Sequence, residues 1–183
     1  EEVYHDDATW VGSHPFGVLT GAEDIAEVWA KLRAALPDME RRDLIFVGGD
    51  NQEDTRISEP RAPHMVAAIG HLQGTFVTDL LGIPATNGTV HLRYAEGHFV
   101  ENGRIRHSRV MFDLLDLMRQ AGVWPLPQSL GAEAMWPGPA PQNGLRVEDS
   151  NEDRSDSLDI VFRMHDALLS FDGKNLSSMQ HAD

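Results

Sequence analysis

Asn102-Gly103 stands between two stretches that alternate in polarity, and it constrains this chain more than any other dipeptide. A type I′ turn needs positive φ at both central residues, which Asn and Gly supply most readily. A two-residue turn also sets register. Glu101 then faces Arg104, His98 faces His107, Glu96 faces Arg109, Tyr94 faces Met111 and Leu92 faces Asp113. Side chains alternate along a strand, so these pairs share one face. That face gathers two imidazoles, a carboxylate–guanidinium pair, a phenol and a second carboxylate. The opposite face carries Phe99, Val110, Phe112 and Leu114 beside Arg93 and Arg106. The whole stretch from Val90 to Gly122 reads as strand, turn, strand, helix.

The flanking chain supplies the rest of a domain. A short strand is predicted around Thr9-Trp10-Val11. Thr20 and Glu23 have capping-box spacing, and Ile25, Val28, Trp29, Leu32 and Leu36 follow at helical intervals until Pro37. Leu44–Val47 reads as a strand closed by Gly48-Gly49, and residues 50–63 as a polar, mobile loop. His64–Leu81 reads as a long strand bent or bulged at Gly70 and Gly74. A helix from Leu114 to Ala121 ends at Gly122. This order predicts an α+β fold, a curved and mostly antiparallel sheet with helices on one side. It occupies residues 1–122. Residues 123–156 form a Pro/Gly-rich and acidic arm or linker. Residues 157–183 are an amphipathic helical segment, with Leu158, Val161, Phe162, Leu168 and Leu169 on one stripe. Asp172-Gly173 breaks it, and Asn175 caps a short last helix through Met179.

Charge and composition narrow the partners. A net charge of −14 disfavours nucleic acid and anionic membranes, where basic patches supply affinity. The absence of cysteine removes disulfides, thiolate metal sites and a thiol nucleophile. The nine histidines show no metal-ligand spacing, so no metal is expected. No apolar run reaches the roughly 20 residues of a membrane helix, and no signal-peptide pattern opens the chain. The cytoplasm is the expected compartment.

Several runs occur in a fixed order: Gly21-Ala22-Glu23-Asp24-Ile25, Gly74-Thr75-Phe76, Gly82-Ile83-Pro84-Ala85-Thr86, Asn102-Gly103-Arg104-Ile105, then Asp113-Leu114-Leu115 and Gln120-Ala121-Gly122. Together they make Trp10–Gly122 resemble the SnoaL-like polyketide cyclases of the nuclear transport factor 2-like superfamily. Asn87 interrupts one motif, Arg109 stands where the family often has Trp, and the family's first helix is missing before the first strand. Leu158–Met179 resembles that helix. The tail therefore either starts a second, truncated copy or completes this cone, in cis or from a neighbouring chain.

The resemblance implies a cystatin-like cone, a small apolar or polyketide-like ligand, no cofactor, and ring closure by an intramolecular aldol step. It places Asp113 at the family's catalytic position, as acid/base; Asp113 also stands where it would cap the following helix. His98 is the second catalytic candidate, binding the substrate carbonyl or orienting Asp113. His107, Arg109, Tyr94, Met111, Trp10, Trp29, His14 and His71 are the expected ligand-binding residues, with core packing the alternative for the aromatic ones. Glu96–Arg109 reads as a structural pair. Two other readings stay open: a dehydratase, isomerase or hydrolase on the same fold, or a non-catalytic binding module. The face carrying Phe99, Val110 and Phe112 predicts a homodimer or a higher homo-oligomer.

Overall fold

The computed structural model describes residues 3–51, 62–128, 130–131, 138–140, 144, 151–171 and 173–174. It divides into two compact units, 1–146 and 147–183. The first unit runs β1 (Tyr4–Gly12), β2 (Gly17–Thr20), α1 (Ala22–Ala35), β3 (Glu40–Asp50), β4 (His64–Thr75), β5 (Thr89–Glu101), β6 (Arg104–Phe112) and α2 (Leu114–Gln120). Its strands form one sheet in the order β2-β1-β6-β5-β4-β3. All pairings are antiparallel except that of β1 with β6. The α+β architecture, with a mostly antiparallel sheet, is therefore as the sequence predicts.

Helical periodicity buries Ile25, Val28, Leu32 and Ala35 of α1. They join Leu72 and Phe76 of the β4 region, Leu92 of β5 and Phe112 of β6 in one core cluster. Each fully buried aliphatic side chain of this kind contributes about 1.5–3 kcal/mol relative to an exposed one. The predicted capping box does not form. Thr20 is the last residue of β2, paired with Thr9. Gly21 takes the cap position at φ 99°, a region glycine tolerates, and donates its N–H to the Ala8 carbonyl at 2.8 Å.

β3 starts at Glu40, earlier than its apolar segment suggests, because the charged run Glu40–Asp43 also pairs with β4. The ladder slips between Asp43 and Ile45. The distortion expected at Gly70 and Gly74 thus falls on the partner strand, and β4 runs against β5 unbroken from His64 to Thr75. Gly70 serves a close approach instead. A Cβ there would lie 2.2 Å from the Arg42 carbonyl oxygen and 2.7 Å from the Tyr94 hydroxyl. β4 stops at Thr75, short of the predicted Leu81, where the Asp38 carboxylate accepts from the Thr75 N–H (2.7 Å) and hydroxyl (2.6 Å).

The Asn102-Gly103 turn forms, at φ 52° and 75°. Glu101↔Arg104 and Val100↔Ile105 pair as predicted, but Phe99 then faces His107. Arg106 is the extra residue, and its guanidinium binds Glu101 at 2.8 Å and Asp7 at 2.5 Å. A one-residue bulge reverses the facing of every later side chain. His98 consequently faces Ser108, Glu96 faces Val110 and Tyr94 faces Phe112. Ser108, Val110 and Phe112 are buried on the core side. His107, Arg109 and Met111 point the other way. The predicted His98–His107, Glu96–Arg109, Tyr94–Met111 and Leu92–Asp113 pairings do not exist.

Past α2, the Gly144 carbonyl accepts from the Phe46 N–H at 2.8 Å and satisfies part of the β3 edge. In the second unit, α3 spans Asn151–Leu169 and begins before the expected residue 157. Most of the predicted 50–63 loop and the Asn175–Met179 helix lie outside the described residues.

Candidate active site

Alternate residues of β5 project Glu96 and His98 toward α1, where a cavity of about 570 Å³ opens. Ala22, Ala26 and Ala30 recur at i, i+4 and i+8 on α1, and their small side chains leave that volume free. Trp29, Val3 and Ile105 complete an apolar wall, while Tyr4, Arg33 and Arg41 add polar atoms.

The Glu96 side chain is only 4% exposed. Arg41 Nη2 lies 2.5 Å from its Oε1. His98 Nε2 lies 3.4 Å from the same oxygen. Arg41 also binds Asp43 at 2.8 Å and stacks 4.7 Å over the Tyr94 ring, whose hydroxyl donates a short hydrogen bond to Asp43. On the other side, His98 Nδ1 and Ser108 Oγ are 2.8 Å apart. Ser108 and Trp29 lie near enough to the Tyr4 phenol to pull its pKa down against burial. One polar chain therefore runs Asp43–Arg41–Glu96–His98–Ser108 through an otherwise apolar region, with Tyr4 lining the same cavity.

Electrostatics fix the charge states. Burial works to raise the Glu96 carboxyl, but hydrogen bonds and charge from His98 and Arg41 outweigh it and hold it below the ordinary glutamate value. Burial opposes the Arg41 charge, and its bonds to Asp43 and Glu96 more than restore it. Burial pushes the Tyr4 phenol up, and the Glu96 charge adds to this, against the pull of Ser108 and Trp29. Tyr4 is thus a neutral O–H donor at physiological pH. A carboxyl depressed in the folded state stabilises the protein above its unfolded value and loses that contribution as pH falls through the folded one. The wild-type protein is therefore expected to lose stability as pH drops below about 4.3, with a shallower loss in Glu96→Gln. Melting temperatures measured across acid pH for both proteins check this.

Of the residues expected from sequence, His98 and Trp29 line this cavity. Tyr94 is buried and reaches the network through Asp43. Trp10 is wholly buried in the core. His14 is exposed in the β1–β2 turn. His107, Arg109, Met111 and His71 lie on the other face of the sheet; His107 meets Thr9 Oγ1 at 2.5 Å. Asp113 is not brought to His98. It caps α2, accepting from the Asp116 N–H at 2.9 Å, and pairs with Arg93 at 2.6 Å. The residues missed are Glu96 as a site residue, Arg41, Tyr4, Asp43 and Ser108. Arg41 stands in the charged run Glu40–Asp43, ahead of the predicted Leu44–Val47 strand, and Tyr4 in a segment without alternation.

Among the described residues, no group of three or more His, Asp or Glu is arranged to hold a metal ion. No helix among them is long and apolar enough to cross a membrane.

A sequence profile of the SnoaL-like domain matches residues 1–108. No match was found among curated proteins. Among solved structures, AclR from Streptomyces galilaeus, described as "a putative hydroxylase", superposes with a TM-score of 0.53 at 14% identity, covering 68% of this chain and 81% of AclR. IdmH from Streptomyces antibioticus, described as "a putative polyketide cyclase", gives a TM-score of 0.50 at 22% identity, covering 67% of this chain and 84% of IdmH. At these identities the similarity speaks to fold.

Proposed function

The chain belongs to the SnoaL-like domain family, with the nuclear transport factor 2-like fold, and on that premise we propose that it is a cofactor-independent acid–base enzyme closing a ring in a polyketide-like substrate. The observation that carries this reading is a buried carboxylate, Glu96, held by Arg41 and His98 at the lining of an apolar cavity.

Both contacts to Glu96 fall on Oε1, and Oε2 is the oxygen left to take a proton from a ligand. In the proposed step Oε2 accepts the proton from a carbon between two carbonyls. The resulting enolate carbon attacks a second carbonyl of the same molecule, forming the carbon–carbon bond, and the electron pair moves to that carbonyl oxygen. Glu96 then returns its proton to this oxygen. The Tyr4 hydroxyl donates a hydrogen bond to the enolate oxygen, and His98 and Arg41 keep the carboxylate oriented. A positioned acid–base group of this kind contributes roughly 10²–10⁴-fold. Asp113 enters as the α2 cap, replacing the role expected from sequence.

The same residues suit a dehydratase or isomerase, which share the first proton transfer. Incubating the protein with a linear poly-β-keto ester in D₂O separates these readings. Deuterium incorporation faster than in buffer, together with ring closure, is the expected result. Accelerated exchange without closure points to isomerase-type chemistry, and neither outcome leaves a binding module.

The outer face of the sheet places Met65, Ala67, Ile69, Ala95, Phe99 and Met111 side by side. Val110 and Phe112, expected there, are in the core. We propose a homodimer through this face, in the cytoplasm. Sedimentation is expected to give a dimer; a monomer at micromolar concentration refutes it.

A further inference from the structure

The sheet carries a second, smaller cavity of about 220 Å³, on the side away from Glu96. His71 of β4 and Arg93 of β5 are cross-strand partners. Their neighbours Leu72 and Leu92 are in the core, so His71 and Arg93 project from the other face. His91, two residues before Arg93, shares that face. The His71 and His91 rings meet edge to face, 5.3 Å between centroids. Asp116, Arg119 and Gln120 of α2 close the cavity.

The helix is fixed in place there. β5 continues past the end of β6, and the Gln120 amide takes over as its partner, bonding the His91 N–H and carbonyl at 2.9 Å each. Asp113 pairs with Arg93 at 2.6 Å. Asp116 accepts from Arg119 Nε at 2.8 Å and Gln120 Nε2 at 2.9 Å. These bonds occupy one nitrogen of each guanidinium, Arg93 Nη2 and Arg119 Nε, and hold both groups in orientation. Among the described residues, the Arg119 Nη groups and the imidazoles of His71 and His91 make no hydrogen bond to protein. The volume equals that of about seven waters.

Charge points the same way. In a chain of net charge −14, Arg93 and Arg119 line this cavity with two histidines, facing the carboxylates of Asp113 and Asp116. Burial first, then the charges of His91 and Arg42, lowers the His71 pKa, so this imidazole is neutral at physiological pH and offers one N–H donor. Oxyanions are the ligands that such a set of N–H donors recognises.

We propose that this cavity is a binding site for a small oxyanion, a phosphate or carboxylate group, held by Arg119, His71 and His91. It is separate from the acid–base site and does not depend on the reaction assigned there.

Titration of isotope-labelled protein with inorganic phosphate, and separately with malonate, tests it by NMR. The ring signals of His71 and His91 are expected to move saturably while those of His98 stay in place. Arg119→Gln is expected to weaken the binding about tenfold or more. A response to phosphate alone assigns a phosphoryl ligand, to malonate alone a carboxylate. The proposal is overturned if neither anion moves the two rings at millimolar concentration, or if the His98 signals follow the same curve. It is also overturned if Arg119→Gln, folded by its melting temperature, titrates like wild type. Should that variant not fold, His71→Gln carries the same comparison.

Discussion

Glu96→Gln is expected to lower turnover by roughly 10²–10⁴-fold in a protein that still folds. Glutamine keeps the shape and an oxygen acceptor for Arg41 and His98, but it cannot take up a proton at working pH. The Arg41 guanidinium retains Asp43 at 2.8 Å, so the substitution does not strand a buried charge without a partner. Asp113→Ala is the matched comparison. It removes the α2 cap and the Arg93 partner, and it is expected to cost about 1 kcal/mol of stability with turnover unchanged. Steady-state rates and urea midpoints for the two variants separate the roles. A catalytic loss in Asp113→Ala with Glu96→Gln unaffected would move the chemistry to the other face and sink the mechanism proposed above.

Trp10→Ala is expected to destabilise the first unit by about 3–5 kcal/mol, enough to unfold a marginally stable domain. Trp10 is fully buried, paired with Ser108 across the parallel β1–β6 junction. Its ring meets Phe16 edge-on at 5.8 Å, Phe16 meets Phe112 at 5.6 Å, and Phe112 meets Trp29 at 5.9 Å. This row of rings runs from the β1–β6 core to the wall of the cavity beside Glu96. Truncation at Trp10 therefore leaves a void and loosens Trp29, which lines the cavity beside Tyr4. Urea denaturation gives the stability loss directly; a midpoint within error of wild type contradicts the assignment of Trp10 to the core.

Local chemistry made part of this molecule legible in its sequence. Asn102-Gly103 is a turn because both positions need positive φ, and Asp113 caps a helix because its carboxylate reaches the N–H three residues on. The stripe of α1 and the inward facing of Glu96 and His98 follow from periodicity. What could not be read depends on residues far apart in the chain. Arg106 bulges while binding Asp7, a partner 99 positions away, and no property of the hairpin alone announces it. That single bulge removed Arg109 as the partner of Glu96. The true partner, Arg41, lies on a strand two positions away in the sheet. Tyr4 escaped for a related reason: β1 changes register between Tyr4 and Thr9, so its first residues follow no simple alternation.

The bulge at Arg106 also sets how this hairpin can vary in length. Residues added at the Asn102-Gly103 tip extend a solvent-facing loop and leave the strands as they are. Loss of the single residue Arg106 would instead present His107, Arg109 and Met111 to the interior in place of Ser108, Val110 and Phe112. Insertions between Ile105 and His107 therefore keep the facing of the strand only in even numbers, a limit imposed by counting residues and indifferent to which residues they are.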